Sequence, residues 1–96
     1  MITHIVFFAF KPENRSEHIA EAKRRIAAME GQIPTLRSIE LGENFSDEAR
    51  AMDLALTARF DDRDGLAAYA VHPVHRAVIA YIQTVVAYTR VVDYAS

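Results

Sequence analysis

Runs of β-forming residues and stretches of helical spacing alternate in the order strand, helix, strand, strand, helices, strand, which predicts an α+β domain of the split βαβ type. Three observations carry this. Apolar residues run or alternate over Ile2–Phe10, Leu36–Leu41, Met52–Phe60 and Tyr88–Tyr94. Between the first and second of these runs, and again between the third and fourth, apolar residues recur every three to four positions. Pro73 divides the second helical stretch in two.

Ile2–Phe10 is rich in β-branched and aromatic residues and stops at Lys11-Pro12-Glu13-Asn14. Its two faces are Ile2, His4, Val6, Phe8, Phe10 and Thr3, Ile5, Phe7, Ala9. Both are largely apolar, so both must be covered. Asn14 and Glu17 have the spacing of a capping box, and Ile19, Ala22, Ile26 and Met29 then form an amphipathic stripe that ends at Gly31. Glu17, Glu21, Lys23, Arg24, Arg25 and Glu30 make the solvated side of this helix, and His18 beside them is expected at the surface.

After the Ile33-Pro34 connector, Leu36–Leu41 is the second strand, ending at Gly42. Glu43–Arg50 is polar and reads as a loop; its acids lack the spacing and turn glycine of a calcium site. Met52–Phe60 alternates between an apolar face of Leu54, Leu56, Ala58 and Phe60 and a polar one of Asp53, Thr57 and Arg59, the pattern of a half-buried strand. Asp61 or Asp62 caps the next helix, which carries Leu66, Tyr69 and Ala70 inward. Pro73 pushes His72 out of helical conformation and suits the first turn of a new helix. That helix carries His75, Ile79, Ile82 and Val86 on one stripe, with Val78, Tyr81 and Val85 beside it. Tyr88–Tyr94 is the closing strand.

These elements assemble as a ferredoxin-like, four-stranded antiparallel sheet with its helices on one face. The other sheet face, with Ile5, Phe7, Ala9, Ala55 and Val91, would be bare in a monomer. A patch of that kind marks an interface. Two sheets meeting face to face in a two-fold pair would hide it, so a homodimeric α+β barrel is expected.

The 96 residues make one domain, residues 1–96, without repeats or linkers. A net charge of −2 with 51% apolar residues gives no electrostatic case for nucleic acid or an anionic membrane. No cysteine is present, which excludes disulfides, thiolate catalysis and thiolate-ligated metals. Met1–Phe10 is short, lacks a basic start and runs into Lys11-Pro12, so it reads neither as a signal peptide nor as a membrane span. A cytoplasmic location is expected.

Tyr69-Ala-Val-His-Pro-Val-His-Arg76 gathers a phenol and two imidazoles within eight residues. Tyr69 falls in the last turn of one helix and His75 in the first turn of the next, so both can point into the corner between them, over the sheet. Three histidines, His4, His72 and His75, could in number hold zinc, but the bend at Pro73 keeps two of them off a common helix face. No metal and no cofactor are expected.

The chain resembles the stress-responsive A/B barrel (Dabb) family. The likeness runs through Thr3-His4-Ile5-Val6-Phe7 with Phe10-Lys11, Ile33-Pro34, Gly42-Glu43-Asn44, Phe60, Tyr69-x-x-His72-Pro73-x-His75 and Val92-Asp93-Tyr94. It implies a dimeric barrel. Some members of that family are stable stress-induced proteins, and a plant member is a polyketide cyclase that closes a linear tetraketide acid by aldol condensation. The cyclase's catalytic tyrosine and histidine correspond to Tyr69 and His75, and its pocket histidine to His4. Arg76 stands where the cyclase carries an apolar residue.

On this resemblance His75 is the candidate general base, since an imidazole titrating near neutrality can take a proton alpha to a carbonyl and return it to an alkoxide. Tyr69 is the candidate donor to the carbonyl or enolate oxygen. His4 and His72 are the candidate substrate-binding residues, although a ring just before Pro73 also suits capping of the helix junction. The expected ligand is a small hydrophobic keto or polyketide-like acid in one pocket per subunit. Two other classes compete: a structural stress protein whose cluster is a buried hydrogen-bond network, and a cofactor-free oxygenase, which would consume oxygen on turnover.

Overall fold

The computed structural model describes all of residues 1–96. The elements are β1 (Ile2–Phe10), α1 (Arg15–Ala27), β2 (Ser38–Glu43), β3 (Leu54–Phe60), α2 (Arg63–Val71), α3 (Pro73–Val85) and β4 (Val86–Ala95). The strands form one antiparallel sheet in the order β2-β3-β1-β4. The fold is the ferredoxin-like α+β arrangement expected from the element order. Leu54, Leu56, Ala58 and Phe60 are all buried, and Phe8 and Phe10 on β1 join them beneath Ile19, Ala22 and Ile26 of α1 and Val78, Ile82 and Val85 of α3.

Asn14 begins α1 in the left-handed region, at φ 52° and ψ 36°, and its side chain makes no capping hydrogen bond. The expected capping box with Glu17 is therefore not formed. A left-handed residue turns its side chain away from the first-turn amides, and Asn is one of the few residues that tolerates that backbone. His18, expected at the surface, is half-buried, with Nδ1 shielded from solvent and without a hydrogen-bond partner.

Strand β2 starts two residues later than its hydrophobic run. Leu36 closes a turn onto the carbonyl of Ile33 at 3.1 Å, and its buried side chain serves the core from that turn. The closing strand is longer than expected, because α3 passes into β4 with no intervening loop.

α2 begins as its acids suggested. Asp62 is extended and its Oδ1 accepts the Gly65 N–H at 2.8 Å. Asp62→Ala is expected to cost about 1 kcal/mol of stability, read as a lower denaturant midpoint at unchanged slope.

The register of β1 against β4 corrects one expectation about the bare face. Val91 lies opposite Val6 and Val92 opposite Ile5. Residues directly opposed share a face, so Val91 sits on the helix-bearing side and Val92 and Tyr94 replace it on the open side. Ile5, Phe7, Ala9 and Ala55 remain there. Phe7 is 36% exposed, Val92 52% and Tyr94 46%, which makes this a broad uncovered apolar surface. No helix is long and apolar enough to cross a membrane.

Candidate functional site

The site is built on the junction of α2 and α3. His72 ends one helix and starts the next, at φ −66° and ψ 137°, the extended backbone that Pro73 imposes on its predecessor. Its N–H reaches back to the Tyr69 carbonyl at 3.1 Å, and its Nδ1 accepts the Val74 N–H at 3.1 Å. An amide can only donate, so the proton of a neutral His72 is on Nε2. This abrupt turn leaves the last turn of α2 facing the first turn of α3. Tyr69 and His75 lie with ring centroids 4.2 Å apart.

His75 Nδ1 lies 3.1 Å from the Ala70 carbonyl, one of the acceptors left free at the end of α2. A carbonyl only accepts, so this contact places the proton on Nδ1 and leaves Nε2 with its lone pair. Burial holds the His75 pKa below the ordinary imidazole value of 6.5, opposed by the Ala70 bond and helped by the neighbouring imidazoles of His4 and His72. The ring is thereby kept neutral and basic at Nε2.

Tyr69 is 2% exposed and packs between Phe60, at 5.0 Å, and His75, with His4 edge-on at 6.0 Å. Burial alone pushes its phenol up to about 12. It stays protonated and is suited to donate to an oxygen that gains negative charge.

His4 stands on the helix-bearing face of β1, directly opposite Asp93 of β4, and its Nδ1 makes a close contact with Asp93 Oδ1. An ionised Asp93 accepts from Nδ1–H and fixes Nε2 as the ring's free nitrogen. Asp93 is the residue that sequence reasoning did not single out. Its signal was present: one acid in the apolar and aromatic run Val91-Val92-Asp93-Tyr94.

These groups border an apolar cavity of about 360 Å³ between the sheet and the helices. His4, Tyr69 and His75 line it together, with Gln83, Tyr88 and Thr89 the other residues bearing polar groups and the remaining wall mainly aliphatic. His72 does not line it; among the sequence-derived candidates it alone faces elsewhere, capping α3. No group of three His, Asp or Glu side chains converges as a metal site would require.

Residues 2–96 match the sequence profile of the Stress responsive A/B Barrel Domain, Dabb. The uncharacterized protein SCO4036 of Streptomyces coelicolor is 37% identical over 82 residues, which cover 83% of this chain and 84% of that protein. A dimeric ferredoxin-like protein of unknown function from Bacteroides fragilis superposes with a TM-score of 0.89 at 27% identity, over 99% of this chain and 95% of its own. The hydroxynitrile lyase of Passiflora edulis shares the fold at 15% identity, with a TM-score of 0.86 over 97% of this chain and 90% of that one.

Proposed function

Since the chain belongs to the stress responsive A/B barrel (Dabb) family, we propose that its cavity binds a small, largely apolar keto or polyketide-like compound and performs aldol-type chemistry, as a cyclase or in reverse as a lyase. The observation that carries this is the pairing of a proton acceptor and a proton donor in one apolar cavity: His75, with Nε2 unprotonated, beside the protonated phenol of Tyr69.

His75 Nε2 takes a proton from the carbon alpha to a carbonyl. The C–H electron pair becomes the enolate double bond, and the carbonyl electrons move to oxygen, where the Tyr69 O–H donates to the forming charge. The enolate carbon then attacks a second carbonyl carbon, forming the C–C bond, and the alkoxide recovers the proton from His75. No oxidant or reductant is consumed. His4, held by Asp93 through Nδ1, presents Nε2 to the cavity, where the neutral ring accepts from a substrate hydroxyl or enol and so orients the second reacting group.

Wash-in of solvent deuterium alpha to the carbonyl of 4-phenylbutan-2-one, followed by NMR, tests the first step without knowledge of the substrate. Exchange is expected with the wild type and should be lost in His75→Gln. Because the folded pKa of His75 is lowered, the rate should persist below pH 6.5 and fall only at more acidic pH. Stability follows the same sign. Between the two pKa values the unfolded chain binds more protons than the folded one, so stability rises with pH through that window and is lost as pH falls. His75→Gln should flatten that slope.

A structural role is the second reading, and a specific observation favours it: Nδ1 of His4, His72 and His75 is each already engaged, with Asp93, Val74 and Ala70. Absence of exchange together with lowered stability in His75→Gln would select it.

We further propose that the protein is a homodimer through its open sheet face. The exposed apolar side chains of Phe7, Tyr88, Val92 and Tyr94 support this, as does Phe45, 97% exposed and beside Phe7. The Bacteroides fragilis neighbour is itself dimeric.

A further inference from the structure

The cavity is lined by two histidines, two tyrosines, a glutamine and a threonine, but by no lysine, arginine, aspartate or glutamate. A carboxylate entering it would lose its hydration and require a cation in return. Neither imidazole meets that need. His75 is kept neutral by its burial. His4 is already matched by Asp93, so the pair carries no net charge when the ring is protonated and a negative one when it is not.

The nearby cations do not compensate. Arg76, next to His75, is exposed and absent from the wall. Lys11 is turned to the Thr84 carbonyl at 3.4 Å. Arg90 lies opposite Phe7 and belongs to the open face of the sheet, across from the cavity. A carbonyl oxygen, by contrast, finds the Tyr69 hydroxyl as a donor without needing a counter-charge.

We infer that this cavity selects uncharged carbonyl compounds, namely ketones, aldehydes, esters or thioesters, over free carboxylic acids of the same skeleton. This departs from the small hydrophobic acid that the family resemblance suggested, and it rests on the cavity being a carbonyl site at all. An acid could enter only with its carboxyl group masked, so the reaction that supplies the substrate would be one that leaves an ester, thioester or ketone terminus.

The test uses three nearly isosteric probes, 4-phenylbutan-2-one, 3-phenylpropanamide and 3-phenylpropanoate, titrated calorimetrically into the wild type at pH 8. The ketone and the amide are expected to bind, and the carboxylate at least about tenfold more weakly. Gln83→Arg places a cation on the wall and should raise the carboxylate affinity relative to that of the ketone by at least about tenfold. Carboxylate binding equal to or tighter than that of the ketone in the wild type would overturn the inference and leave the carbonyl site standing. Failure of all three probes to bind at millimolar concentration would overturn both.

Discussion

Tyr69→Phe is expected to slow deuterium exchange by about 10²- to 10³-fold, the usual consequence of losing one donor to a developing oxyanion, while thermal stability stays level or rises slightly. The two halves of this expectation have separate causes. The ring packs against Phe60 and His75 at 5.0 and 4.2 Å, and Phe keeps both contacts. Burial is the sole cause of the raised phenol pKa, with no protein hydrogen bond contributing, so removing the hydroxyl relieves a desolvated polar group instead of breaking a bond. A thermal melt and the exchange assay on one preparation read both. Lost stability in parallel with lost exchange would mean that the hydroxyl is a strut of the fold and not the catalytic donor.

Val92→Glu is expected to convert the proposed dimer to monomers. Val92 is 52% exposed in the single chain and lies opposite Ile5 on the open face. In the proposed pair it would meet the partner's sheet, and an unpaired carboxylate buried there costs several kcal/mol. Sedimentation or light scattering at micromolar concentration distinguishes the outcomes. A variant that sediments as wild type would show that the open face is not the interface. Since the cavity lies on the opposite side of the sheet, a monomeric Val92→Glu that still binds 4-phenylbutan-2-one would show that each protomer holds its own site.

Much of this could be read from short-range patterns. The face of β3 alternates strictly, with Leu54, Leu56, Ala58 and Phe60 all buried, because a strand presents every second residue to the same side. Pro73 located the helix junction because its ring and missing N–H act on adjacent residues alone. The facing of Tyr69 and His75 follows from that junction, so the heart of the candidate site was visible in a single eight-residue stretch. Asn14 is the local exception. Its spacing to Glu17 suited a capping box, yet Asn also tolerates the left-handed backbone that it adopts, and the residue types alone do not choose between these.

What the sequence determined by itself was therefore the order of elements, their buried faces and the sharp corner between α2 and α3, since each rests on interactions within a few residues. The tertiary structure decided what depended on register. Pairing His4 with Asp93, eighty-nine positions apart, is set by the alignment of β1 against β4, as is the placement of Val91 over the cavity and Val92 on the open face. Both strands are apolar on both sides, so alternation does not specify the register, and a shift of one residue would exchange every side chain between faces. Only packing of the whole sheet beneath its helices selects the register that brings an acid to His4 and leaves His75 neutral beside it.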